Sequence, residues 1–155
     1  MGSSPRGGTI LMLPKHYVAA AGIVLNENED VLLIRRADNM HWEPPGGVVE
    51  LEDGLEAAVV REVKEESGVD AEVIRLTGVY KTVGRRGFHV VSLVFLCRAV
   101  GGVLRPSEET VAAGFFSADD ALNKIERERI RIRLEDALAD RKTPFVRSFL
   151  TPEAK

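Results

Sequence analysis

Apolar residues run almost unbroken from Tyr17 to Leu25 (YVAAAGIVL), as expected of a strand covered on both faces. Asn26 to Asp30 is polar and predicts a turn, after which Val31 to Ile34 gives a second short strand ending in Arg35 and Arg36. The stretch Asn39–Gly47, with two prolines and two glycines, predicts irregular chain. A helix is predicted over Leu55–Ser67, stopped by Gly68 as its C-terminal cap. Strand-like runs follow at Glu72–Lys81 and Phe88–Val100, joined by a turn at Val83–Gly87 and ended by Gly101-Gly102. Ser107–Thr110 forms an acidic loop, and Val111–Phe116 a further strand. Ser117 and Asp120 resemble a capping box that opens a helix reaching Ala139, and residues 141–155 are predicted to be a C-terminal tail. Strands interleaved with helices predict an α/β layered domain with a mixed central sheet.

The last helix has too much apolar surface for one stripe. Leu122, Ile125 and Ile132 fall on one side, and Ile130, Leu134, Ala137 and Leu138 on another. Together they cover roughly 240°, where about 100° suffices to seat a helix on a core. Either the helix breaks near Glu128 or one side packs against a second copy, a possible homodimer.

Composition narrows the class. The 155 residues, 45% of them apolar, suit a single domain and are too apolar for wholesale disorder. No apolar run approaches the roughly 20 residues of a bilayer span. Cys97 is the only cysteine, which excludes an internal disulfide and disfavours a thiolate zinc site. A net charge of −3 argues against general nucleic-acid binding. The first fifteen residues read as a flexible arm without an export signal, so the expected address is a reducing cytoplasm.

Gly46 to Val69 (GGVVELEDGLEAAVVREVKEESGV) concentrates the acidic residues beside a Gly-Gly turn. On a helix over Leu55–Ser67, Glu62, Glu65 and Glu66 share one arc about 100° wide, with Val59, Val60 and Val63 on the neighbouring arc. Glu62 repels both Glu65 and Glu66 at i,i+3 and i,i+4, and Lys64 points away. Hard oxygen donors without His or Cys favour Mg²⁺ or Mn²⁺, and such a trio suits phosphate-ester or phosphoanhydride chemistry. A solvated acidic helix face is the bland alternative.

Spacing decides in favour of chemistry. Gly47, five residues, Asp53, seven residues and then Arg61-Glu62-Val63-Lys64-Glu65-Glu66-Ser67-Gly68-Val69 resembles the Nudix hydrolase signature, Gly-x5-Glu-x7-Arg-Glu-U-x-Glu-Glu-x-Gly-U with U aliphatic. Asp53 is the one departure, standing where the family has Glu. Pro45-Gly46-Gly47 precedes the box as PGG often does in the family, and the likeness extends over roughly residues 17–140. A single domain over 16–140 with the Nudix α/β/α sandwich is therefore expected. The resemblance implies Mg²⁺- or Mn²⁺-dependent hydrolysis of a nucleoside diphosphate linked to another group. It also implies that Glu62 and Glu66 are the principal metal ligands, with Glu65 and the Gly46 carbonyl beside them, and that Arg61 orients Glu65. Asp53, one methylene shorter than Glu, raises the alternative of a nucleotide-binding or sensing domain that does not cleave.

The resemblance also points to a distant carboxylate. Glu109, six residues before Phe115-Phe116, is favoured over Glu108 as a base or extra ligand, with Glu62 the competing base. Arg36 and Arg86 are candidate phosphate contacts, ahead of Arg35 and Arg85, because the arginine fork suits phosphate. Trp42 and Phe88, with Tyr80 behind them, are candidates for stacking on a base. His16, His41 and His89 have no ligand-like spacing, and Cys97 is expected to be a buried inert thiol. No proline lies between Pro45 and Pro106, which counts against the ADP-ribose-cleaving subgroup, and Tyr80 comes too early for the diadenosine polyphosphate pattern. By elimination the expected substrate is a (deoxy)nucleoside triphosphate or an oxidised form, with ADP-ribose or another nucleoside diphosphate sugar as the alternative.

Overall fold

The computed structural model describes residues 13–154, so most of the N-terminal arm lies outside the described residues. Eight strands and three helices follow one another as β1 (Tyr17–Leu25), β2 (Val31–Arg36), β3 (Trp42–Glu43), β4 (Gly46–Val48), α1 (Leu55–Ser67), β5 (Val69–Val83), β6 (His89–Gly102), β7 (Thr110–Phe116), α2 (Ala118–Lys124), α3 (Glu128–Leu138) and β8 (Phe145–Pro152). The sheet runs β3-β2-β1-β6-β5-β8, with β4 also on β1 and β7 also on β2. It is mixed and open, since β1/β6 and β5/β8 are parallel and the other pairs antiparallel.

Strand periodicity assigns the two faces. Ile23, Leu25, Val31 and Leu33 point to a core shared with Ile125, Ile130, Leu134 and Ala137 of the C-terminal helical segment. Ala20, Val24 and Leu32, the intervening residues, point to a second core shared with Val59 and Val63 of α1. Helices thus cover both faces of the sheet, which is the α/β/α sandwich expected. The middle of β1 and the first four residues of β2 are apolar without alternation because neither face meets water there.

Three features differ from the sequence reading. The continuous helix from Ser117 to Ala139 gives way to the first of the two alternatives, a break near Glu128: α2 ends at Ile125, whose φ of −80° and ψ of 107° are extended, and α3 starts at Glu128. Both pieces lie on the same core, so the wide apolar arc is shared between α2 and α3 and gives no argument for a partner. Residues 141–155 are not simply a tail, because Phe145–Pro152 pairs in parallel with β5. That strand was hidden by its weak pattern, with Val146 and Leu150 exposed at a sheet edge. Finally, the Pro/Gly-rich segment contains the short strands β3 and β4, held by neighbours that single-sequence patterning does not see.

Candidate active site

The site is assembled where β4 crosses β1 and meets α1. Ala20 and Ala21 of β1 pair with Gly47 and Gly46, and the Gly22 amide donates to the Pro45 carbonyl at 3.0 Å. The approach requires glycine: a Cβ on Gly46 would lie 2.8 Å from the Ala21 Cα, and one on Gly47 would lie 2.7 Å from the Glu62 Oε2. So the Gly-Gly turn of the sequence is a place where backbone is pressed against a strand on one side and a carboxylate on the other.

Helix α1 supplies the carboxylates. Gly68 ends it in the left-handed conformation, φ 81°, with its amide on the Lys64 carbonyl. Glu66, only 4% exposed, accepts a 2.8 Å hydrogen bond from the Gly46 amide. Glu62 lies beside Gly47 with a side chain 14% exposed, whereas Glu65 is 59% exposed at the rim. Burial pushes the Glu66 carboxyl up to about 8; the Gly46 hydrogen bond opposes this, and Glu62, Glu109 and Glu43 reinforce it. Glu62 is also raised, chiefly by burial and against the pull of Arg61.

Arg61 reaches Glu65 as expected, but two other carboxylates lie closer. Its closest partner is Asp53 at 2.6 Å, then Glu62 at 3.0 Å, and Glu65 only at 3.6 Å. Asp53 also accepts from the Glu50 amide at 3.2 Å. The shorter acid therefore anchors Arg61 directly, and Arg61 holds Glu62 more closely than Glu65. Asp53 is thus tied both to Arg61 and to the Glu50 amide.

Glu109 reaches the same region from the loop before β7. The Glu109 carbonyl accepts from the Ala37 amide at 2.9 Å, and Thr110 Oγ1 donates to the Glu66 carbonyl at 2.9 Å, tying this loop to the end of α1. Glu65, Glu66, Glu108 and Glu109 border one shallow depression. The exposed Glu109 is close enough to raise both Glu62 and Glu66.

Among the described residues no three His, Cys, Asp or Glu side chains converge into a finished cation cage. The donor set still suits a hard divalent cation. Glu66 is buried, carries no salt bridge to a cationic side chain among the described residues, and is surrounded by further carboxylates. Magnesium retains waters and is usually held by one or two carboxylates plus substrate phosphates, so an incomplete protein cage fits it.

Next to Gly46 and Gly47 opens a cleft that extends over the sheet to α3. It holds about 170 Å³ for water centres, well above the roughly 10–15 Å³ that one buried water needs. Arg36 lines it, pairing with Asp38 at 2.6 Å and Glu43 at 3.2 Å. The other expected substrate contacts do not line it. Trp42 packs edge-on to Phe116 at 5.3 Å, Phe88 edge-on to Tyr17 at 5.7 Å, and Arg86 is exposed at the β5–β6 turn. Tyr80 is fully buried with its hydroxyl on Asp136 at 2.7 Å. Cys97 is buried, and its thiol is pushed up to about 12. The residue that sequence reasoning missed is Arg133, which enters the cleft from α3; one arginine among many on a charged helix carried no signal. Burial lowers its pKa.

An open mixed sheet between helices, with the buried Glu66 and the half-buried Glu62 set against a Gly-Gly strand, is the framework of a Nudix-type hydrolase. The NUDIX domain model matches residues 15–138, and the chain belongs to that family, among the Nudix pyrophosphohydrolases. It is 47% identical over 135 residues to a "MutT-like protein" of Streptomyces ambofaciens, covering 87% of this chain and 84% of that one. An "ADP-ribose pyrophosphatase" of Methanocaldococcus jannaschii is 41% identical over 108 residues, 66% of this chain and 63% of that one. An "8-oxo-dGDP phosphatase" of Mus musculus is 36% identical over 107 residues, 64% of this chain but 32% of the relative. A NUDIX hydrolase structure from Nitrosomonas europaea superposes with a TM-score of 0.77 at 21% identity, covering 91% of this chain and 81% of that one; at that identity it speaks to the fold.

Proposed function

We propose that this protein hydrolyses the phosphoanhydride of a nucleoside diphosphate derivative, most specifically a (deoxy)nucleoside triphosphate or its oxidised form, with Mg²⁺ or Mn²⁺. The observation that carries the reading is the buried Glu66, without a cationic partner among the described residues and held to the Gly46 amide beside Glu62. Such a carboxylate is expensive in a binding domain and useful where a cation and phosphates converge.

In this reading Glu62 and Glu66 hold the cation, with Glu65 at the rim and the Gly46 carbonyl contributing from β4. The cation, when bound, supplies Lewis-acid neutralisation of charge on the phosphoryl oxygens. Gly46 fixes the Glu66 carboxylate through its amide, and Gly47 leaves room for Glu62. Arg61, braced by Asp53, fixes Glu62 and limits repulsion within the trio. Glu109, brought to the same rim by the Ala37 and Thr110 hydrogen bonds, takes a proton from the attacking water. Arg36 is the cleft-side contact for phosphate or sugar. A single buried thiol fits a reducing cytoplasm.

The kinship with the Methanocaldococcus protein keeps ADP-ribose as a second substrate class. The test is product analysis with Mg²⁺ and a panel of NTPs, dNTPs, 8-oxo-dGTP, ADP-ribose and diadenosine polyphosphates. Cleavage of triphosphates in preference to the rest supports the proposal, and preference for ADP-ribose selects the second class. Saturable nucleotide binding with no cleavage of any compound overturns the enzymatic reading in favour of a sensor.

A further inference from the structure

The sheet-side cleft contains an arginine with no carboxylate partner among the described residues. Arg133 Nε is buried and has no hydrogen-bond partner. Its Nη2 makes one long contact, 3.4 Å to Ser92 Oγ. No salt bridge involves it among the described residues, because the nearby acids are committed elsewhere. Asp136 accepts from Arg147 twice at 2.8 Å and from the Tyr80 hydroxyl at 2.7 Å. Glu43 pairs with Arg36 at 3.2 Å and lies 3.8 Å from Arg127. Arg133 is half-buried with its Nε sealed from water, and a guanidinium so placed without a counter-charge is costly, so its cleft-facing N–H groups call for an acceptor that the protein itself does not provide.

Its guanidinium packs over an aromatic ring. The guanidinium carbon lies 5.3 Å from the Tyr80 ring centroid, and Tyr80 is fixed in turn through Asp136 and Arg147. Ala19, Ala21, Ile23, Val94 and Ile130 make the rest of this end of the cleft apolar, while the carboxylates stand at the Gly46-Gly47 end. Phosphates belong with the cation at the acidic end. An apolar slot closed by a guanidinium's N–H donors suits a flat heterocycle with an acceptor on its edge.

We propose that Arg133 selects the base of the nucleotide, donating to the oxygen at position 6 of a 6-oxopurine held in the cleft beside Gly46 and Gly47. Arginine offers donors only, so a 6-aminopurine would point its own N–H at the guanidinium. The same fork is matched to guanine in nucleic-acid recognition, where it distinguishes the oxo from the amino purine. This inference rests on the nucleotide reading above and deepens it from nucleotides in general to those with guanine-type bases.

Binding of nucleoside monophosphates tests it, since these contain no anhydride and report on the cleft whether or not the chain is a hydrolase. GMP, IMP, purine riboside monophosphate and AMP are titrated calorimetrically into the whole protein with Mg²⁺. The expected order is GMP and IMP first, the unsubstituted purine next and AMP last, with IMP at least about tenfold tighter than AMP. Arg133→Met is expected to bring IMP and AMP to equal affinity, and Arg133→Lys to leave a reduced preference. Should Arg133→Met fail to fold, the order within the parent decides alone, because the unsubstituted purine separates attraction to the oxygen from repulsion of the amino group. Equal binding of IMP and AMP by the parent, no binding of any of the four, or an undiminished preference in Arg133→Met overturns the proposal. Preferential binding of IMP without turnover of any triphosphate would instead leave it standing and remove the hydrolase reading.

Discussion

Glu66 makes the metal-free protein sensitive to pH in a direction that can be stated in advance. The native state holds this carboxyl at about 8, against 4.5 for the free group, mainly because burial disfavours the charged form. A group whose folded pKa lies above its unfolded value stabilises the fold fully below the unfolded pKa, and this contribution is lost as pH rises through the folded one. The window is therefore pH 4.5 to 8. At about 1.36 kcal/mol per pH unit, the loss accumulates to roughly 3 kcal/mol by pH 7 and roughly 5 kcal/mol above pH 8. Glu66→Gln retains an acceptor for the Gly46 amide and cannot ionise. Urea unfolding followed by circular dichroism, in EDTA at pH 5, 6, 7 and 8, should show the parent weakening relative to Glu66→Gln at each step. Adding Mg²⁺ at pH 8 should restore the parent more than the variant. Parallel stability profiles for the two proteins from pH 5 to 8 would refute the claim that Glu66 is buried without a counter-charge.

The glycine pair and the acidic anchor give two further expectations. Gly47→Ala should fold, since the clash is with the flexible end of Glu62, yet lose roughly 10²-fold in kcat because that carboxylate must move. Gly46→Ala instead meets the backbone of β1 and should lower thermal stability by about 1–3 kcal/mol. Asp53→Ala frees Arg61 from its 2.6 Å partner; it should cost about 1 kcal/mol in urea unfolding, discounted for partial exposure, and reduce turnover, whereas Asp53→Glu should keep most of both.

The legible part of the molecule was the part written in short-range spacing. Leu55–Ser67 is a helix with the expected limits because its carboxylate and valine arcs repeat at helical period and Gly68 stops it. The gathering of Glu62, Glu66, Gly46 and Gly47 followed from the box. What failed to show depended on distant neighbours. Phe145–Pro152 became a strand only because β5 offers an open edge, and its exposed Val146 and Leu150 blur the pattern. Arg61 does pair with Glu65, but the chain from Glu50 to Asp53 curls back to place a shorter carboxylate nearer, which the spacing did not show. Trp42 was an aromatic in a loop until its packing against Phe116 fixed it at the edge of the core. Arg133 lay on a helix with many charges, and only the sheet opposite it distinguishes it from the rest.

The central claim is that the carboxylates gathered at Gly46-Gly47 drive cation-dependent hydrolysis. The most direct measurement is turnover of the best triphosphate by the parent and by Glu66→Gln across a Mg²⁺ titration, with folding of both checked by circular dichroism. The account expects the parent to depend on Mg²⁺ and the folded variant to fall roughly 10²-fold or more at saturating cation. A folded Glu66→Gln that turns over at the parent's rate, or a parent indifferent to Mg²⁺, would contradict it.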